Sequence, residues 1–108
     1  MELAFSTKAL RAVCESDERA VRELGVECAN VLKRRLADLR AAANATDLVA
    51  GNPRQSPRSK EELMLDLVEG CAVVLAANHT TVPRLGSGAI DWSNVSRIKL
   101  LRIERPNA

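Results

Sequence analysis

Two short apolar runs near the C-terminal end, Ala72–Ala77 and Ile98–Ile103, constrain the fold most. Neither repeats with the 3.6-residue period of a helix, and both fall far short of the ~20 apolar residues that span a membrane. Each therefore reads as a strand. Between them lies a stretch carrying Pro83, Gly86, Gly88 and the lone tryptophan of Ile90-Asp91-Trp92. Proline and glycine at that density make a long connection rather than a helix. The second run interleaves Arg97, Lys99 and Arg102 with Ile98, Leu100, Leu101 and Ile103. Apolar and cationic residues on one strand imply a sheet with one face on a core and the other open to an anion.

The N-terminal half has a different period. Glu2-Leu3-Ala4-Phe5 is a short strand, and Ser6-Thr7 supplies the cap of a helix that places Leu10, Val13 and Cys14 on one face. Ser16 offers a second cap, followed by Asp17 and Glu18 where the helix dipole favours acids. From there Val21, Leu24, Cys28, Val31, Leu32, Leu36 and Leu39 recur at spacings of three and four. That stripe predicts a long amphipathic helix to about Ala43, interrupted at Gly25. Asn44-Ala45-Thr46-Asp47 stops it, and Leu48-Val49 is expected to pack a turn back onto the sheet. Gly51–Lys60 is a loop or an edge strand, because Pro53 and Pro57 lack the N–H a ladder needs. Leu63, Leu65 and Leu67 alternate with Met64 and Asp66 as one more strand with one face buried. Glu69-Gly70 signals a turn into a central strand over Cys71–Ala76, and Val95–Glu104 forms the last strand. The expected architecture is α+β: an N-terminal strand and two helices packed on a small, mainly antiparallel sheet, in a single domain over residues 1–108.

Composition sets the partners. The chain has 108 residues and a net charge of +2, so any case for nucleic acid rests on local clusters of its 16 Lys and Arg. Phe5 and Trp92 are its only aromatics, which leaves the core to aliphatic side chains. Cys14, Cys28 and Cys71 show no paired spacing and the single histidine, His79, stands apart, so no zinc site is expected. Three reduced thiols in a reducing cytoplasm are the better reading, with no cofactor, no metal and no membrane association.

The segment GCAVVLAANHTTVPRLGSGAIDWSNVSRIKLLRIE, Gly70–Glu104, resembles the C-terminal half of RelE/HigB-type toxins of type II toxin–antitoxin pairs. The shared elements are the strand, the Ala77-Asn78 turn, the Pro- and Gly-bearing loop, Asp91-Trp92 and the final apolar-basic strand. The resemblance implies a RelE-like fold, a cognate antitoxin of helix-turn-helix type, and the ribosome with its mRNA as target. Members cleave mRNA without metal by activating the ribose 2′-OH and stabilising phosphorane charge with Lys and Arg. On that reading Arg97, Lys60 and Arg54 are the catalytic candidates, and Arg58, Lys99, Lys33 and Arg34 contact RNA. Arg97 and Lys99 share a strand face that Leu101 and Ile103 continue, with Arg102 opposite beside Ile98 and Leu100. Each candidate has a plainer alternative: a solvated loop for Arg54, Arg58 and Lys60, a cationic strand for Arg97 and Lys99, and a solvated helix face for Lys33 and Arg34. His79 reads as a loop residue and Asp91-Trp92 as a structural brace.

Two departures bear on the chemistry. Where many members carry a histidine before the third strand, this chain reads PRQSPRSKEELMLDL. Where many end in Asp-Tyr-His, it ends Ile103-Glu104-Arg105-Pro106-Asn107-Ala108. Arginine clamps charge well but shuttles protons poorly. Two functions therefore stand open: a ribosome-dependent mRNA endoribonuclease, and a non-enzymatic or catalytically degenerate RelE/ParE-fold toxin that binds a protein target or only pairs with its antitoxin.

Overall fold

The caps set the helices. In the computed structural model, which describes residues 1–68 and 70–105, the Thr7 hydroxyl accepts from the Leu10 N–H and the Ser16 hydroxyl from the Arg19 N–H. They open α1 (Lys8–Glu15) and α2 (Asp17–Leu24). A third helix, α3 (Val26–Ala41), follows directly. The long helix of the sequence reading is thus two helices, because Gly25 takes φ +85° and ψ 162°, a conformation only glycine adopts readily. Ala20, Cys28, Ala29, Leu32, Leu36 and Leu39 are buried along α2 and α3, whereas Val21 is 39% exposed and drops out of the expected stripe. After a 3-10 turn at Ala45–Asp47, Val49 stands 87% exposed, so only Leu48 packs back onto the core.

Five strands form one sheet among the described residues: β1 (Glu2–Phe5), β2 (Arg54–Gln55), β3 (Glu62–Asp66), β4 (Ala72–Ala77) and β5 (Arg97–Glu104). Their order is β1-β5-β4-β3-β2. Every neighbouring pair is antiparallel except β1 with β5, where Glu2 sits opposite Arg97 and Phe5 opposite Leu100. The proline-bearing segment supplies β2, a two-residue edge strand. The expected Glu69-Gly70 turn lies partly outside the described residues, at Glu69.

The helices cover one face of the sheet. Leu65, Val73, Leu75, Ile98 and Leu100 meet Leu32 and Leu39 there, all at 1% exposure or less. A second, smaller apolar cluster of Met64, Ala72 and Val74, with Leu101 against it, sits on the opposite face. Among the described residues no helix is long and apolar enough to cross a membrane.

β5 does not alternate throughout. Leu75 pairs with Leu100 but Val74 pairs with Arg102, so Leu101 is an extra residue in the ladder. Such a bulge shifts the side-chain phase of everything after it. Arg102 consequently faces the open side, with Lys99 and Leu101, and Ile103 turns into the core. This corrects the uninterrupted alternation, which placed Arg102 among core residues and Ile103 outside. Ser6 holds the bulge in place: its hydroxyl donates to the Leu101 carbonyl at 2.6 Å and its N–H to the Leu100 carbonyl at 2.9 Å.

Candidate functional site

The sheet face away from the helices carries most of the candidates. Strand pairing lays out two cross-strand rows on it: Arg54, Met64, Val74 and Arg102, and next to it Glu62, Ala76 and Lys99. Arg97 lies beyond Lys99 beside β1, opposite Glu2. Three strand spacings and four residues of rise separate Arg97 from Arg54, about 15–20 Å. The two cannot converge on one phosphate. Arg58 and Lys60 lie in the β2–β3 connection, near the Glu62 end of the face. Lys33 and Arg34 are exposed on α3, whose Leu32 and Leu36 are buried. They point away from the sheet across the helix layer and do not join this group.

Carboxylates occupy the arginines. Arg97 pairs with Glu2 at 2.8 Å, Arg54 with Asp66 at 2.9 Å, and Arg58 with Glu104 at 3.6 Å. Arg102 is held most completely: two nitrogens donate to Glu62 at 2.8 and 3.0 Å and a third to Glu104 at 3.1 Å. The hydrogen bonds from Arg102 hold the Glu62 carboxyl below the usual glutamate range, against a smaller opposing effect of burial. The same bonds raise the already strong basicity of Arg102. On this face Arg54, Arg58, Arg97 and Arg102 meet Glu2, Glu62, Asp66 and Glu104, four cations against four carboxylates. Lys99 and Lys60 have no carboxylate partner among the described residues.

His79 is not poised for proton transfer. Its Nε2 accepts the backbone N–H groups of Ser96 and Arg97 at 3.1 and 3.3 Å. That lone pair is spent on fixing the start of β5, and with it the position of Arg97. The loop residue is structural, as its setting in the sequence suggests. Asp91 braces the turn through Ser93 Oγ and Asn94 Nδ2, at 2.5 and 2.6 Å, and these bonds hold its carboxyl below the usual range. Trp92 packs partly buried against the core. Among the described residues no group of three or more His, Cys, Asp or Glu is placed to hold a metal ion.

Sequence reasoning missed Arg102, Glu62 and Arg35. Arg35 is mostly covered, donating to the Asp66 carbonyl at 2.9 Å, and it occupies the space a side chain at Gly51 would need. Gly51 has φ +88°, and its carbonyl accepts the Asp66 N–H at 2.6 Å. That contact seats the loop before β2 against β3, which sets where Arg54 meets Asp66. The arginine within an apolar strand, with a glutamate two residues on, was the available signal for Arg102.

No family model matches this chain, and no curated protein does. A solved structure described as the chromosomal ParDE TA system from P. aeruginosa aligns over 99% of this chain and 97% of its own, at 18% identity and a TM-score of 0.48.

Proposed function

We propose that this chain is the toxin of a type II toxin–antitoxin pair with a RelE-like fold, and that it acts by binding a protein target rather than by cutting RNA. The toxin reading rests on the Gly70–Glu104 resemblance and on the element order, an N-terminal strand and helices before a mainly antiparallel sheet. One observation carries the choice of mechanism: every arginine on the open sheet face is committed to a carboxylate. Phosphate binding would have to break those pairs and leave four carboxylates facing the backbone of the RNA, which repels them. The face also offers no histidine or tyrosine among the described residues to move a proton. A balanced array of charges around a small apolar centre, Met64, Val74 and Leu101, suits a protein partner instead. The cognate antitoxin would cover the same face.

The endoribonuclease is the second reading, favoured by Lys99 and Lys60. It would place Lys99, with Arg97 after its ion pair with Glu2 opens, at the scissile phosphate of ribosome-bound mRNA, and leave Lys60 and Arg54 to neighbouring phosphates. Mapping transcript 5′ ends after brief induction separates the two. The protein-binding toxin predicts growth arrest with intact transcripts. New ends inside translated codons, lost in Lys99→Ala, would reverse the choice. Losing one such preorganised contact typically lowers a rate by about 10²–10³.

A further inference from the structure

The two edges of the sheet are built differently. β2 closes one of them with two residues, set between Pro53 and Pro57, which have no N–H to offer a further strand. β1 forms the other with four residues and carries neither a proline nor a bulge. Its hydrogen bonds to β5 run through alternate residues: the Glu2 N–H donates to the Ser96 carbonyl at 3.1 Å and the Ser6 N–H to the Leu100 carbonyl at 2.9 Å. In a parallel ladder that alternation turns the backbone N–H and C=O of Leu3 and Phe5 outward, away from β5. Neither main chain has a hydrogen-bond partner on that side among the described residues. The Leu3 and Phe5 side chains lie on the helix-covered face, half-buried against the core, while Ala4 lies on the open face opposite Lys99. A cavity of about 320 Å³ runs beside the strand, lined by Leu3, Phe5 and Ser6 and by Lys8 and Arg11 of α1.

We propose that β1 is a homodimer edge: it pairs antiparallel with β1 of a second copy, about a two-fold axis at Ala4. In that register Leu3 faces Phe5 of the second copy and Phe5 faces its Leu3, so every outward N–H and C=O of these residues finds a partner. The same exchange sets apolar against apolar side chains at both places on the helix side, where such cross-strand pairs stabilise a ladder. The cavity beside Leu3 and Phe5 gives the incoming pair room next to α1. Ala4 meets Ala4 on the axis, a non-hydrogen-bonded position where the Cα atoms approach to about 4.5 Å. Glu2 falls opposite Ser6, so the ladder sets no like charges against each other. Any strand could use the backbone groups, but β1 matches itself in side chain as well, and this selects a second copy as the occupant. The axis stands perpendicular to the sheet, so the dimer is one continuous sheet with both open faces on the same side. An interface built on one four-residue strand is small, under about 1,200 Å² in total, and belongs to a dimer that dissociates on dilution. The inference stands independently of the toxin assignment.

The test is sedimentation equilibrium on the full chain at concentrations up to about 1 mM, which populates weak complexes. The expected result is a monomer that gives way to a species of twice its mass as the concentration rises. Ala4→Glu and Ala4→Lys each set like charges on the axis, and each alone should stay monomeric under the same conditions. Mixing the two in equal amounts joins opposite charges across the axis and should restore the doubled mass. Leu101→Glu, in the apolar centre of the open face, should dimerise as the parent does. A parent that stays monomeric throughout overturns the inference and leaves the edge to a strand of another protein. A dimer that survives either charge at Ala4, fails to return on mixing, or is lost with Leu101→Glu overturns it equally, because the contact then lies elsewhere. Thermal melting shows whether each variant is folded. Should one not fold, a mixture of isotope-labelled and unlabelled parent decides the matter: nuclear Overhauser contacts between Leu3 of one copy and Phe5 of the other are expected, and their absence in the dimer overturns the pairing.

Discussion

Arg102 shows how one side chain can be read wrongly from a correct pattern. Its neighbours Ile98, Leu100 and Leu101 are apolar, and strict alternation assigns it to the core face. The extra residue at Leu101 reverses that assignment, and nothing local in RIKLLRIE marks a bulge without knowing its partner strand. By contrast, the structural role of His79 and the brace at Asp91 were legible, because a turn histidine and an Asp before a short helical turn have few other uses. The charges on the open face were visible singly, but their pairing depends on the strand order: Arg54 meets Asp66 across β2 and β3, Arg97 meets Glu2 across β5 and β1, and Arg102 reaches Glu62 over β4. Arg102 and Glu62 have side chains only 33% and 16% exposed, so their hydrogen bonds are partly sheltered from solvent. Arg102→Met should keep the stem over Met64 and Val74 yet strand the Glu62 carboxylate. The expected loss is roughly 1–3 kcal/mol, read from urea unfolding. Adding Glu62→Gln should recover part of it. If the two substitutions are simply additive, the pair contributes nothing.

At the scale of elements, the helical stripe was legible because apolar spacings of three and four persist through α2 and α3. The break was foreseen only as an interruption. Propensity alone charges a mid-helix glycine about 1 kcal/mol, which tertiary packing commonly overrides. Here the glycine leaves the helix altogether. A Cβ at Gly25 would meet nothing within 4 Å, so its substitution isolates backbone strain from steric clash. Gly25→Ala should therefore destabilise by about 1–3 kcal/mol with the core unchanged. For a domain of this size that corresponds to roughly 4–8 °C in melting temperature per kcal/mol. An unchanged melting temperature would mean that α2 and α3 fuse into one straight helix at little penalty. Four of the strands were legible in type, since leucines in alternation and short apolar runs admit little else, whereas the edge strand β2 stayed open between loop and strand beside its two prolines. The parallel pairing of β1 with β5 was not, because it joins residues at opposite ends of the chain.

For the molecule as a whole, the ion-paired face makes stability depend on acid. Glu62 titrates below its ordinary value of 4.5 in the folded state, so the unfolded chain binds its proton more readily. Its contribution is complete above about pH 4.5 and is lost as the pH falls through the lower folded value. Urea midpoints measured from about pH 6 to about pH 3 should fall, and fall less in Glu62→Gln. Equal acid sensitivity in both proteins would assign the loss to other carboxylates. The parallel ladder has a further consequence, for how the chain is made. β1 is synthesised first, yet its partner in the sheet is β5, nearly the whole chain later. Until that last strand emerges, β1 has no edge to join and β4 lacks one neighbour. The helices, built on local contacts, can form early, whereas the sheet closes only once β5 has been translated. A chain cut short before β5 keeps Arg54, Glu62 and Asp66 but lacks Arg97, Lys99, Arg102 and Glu104, half of the charged row the finished face presents.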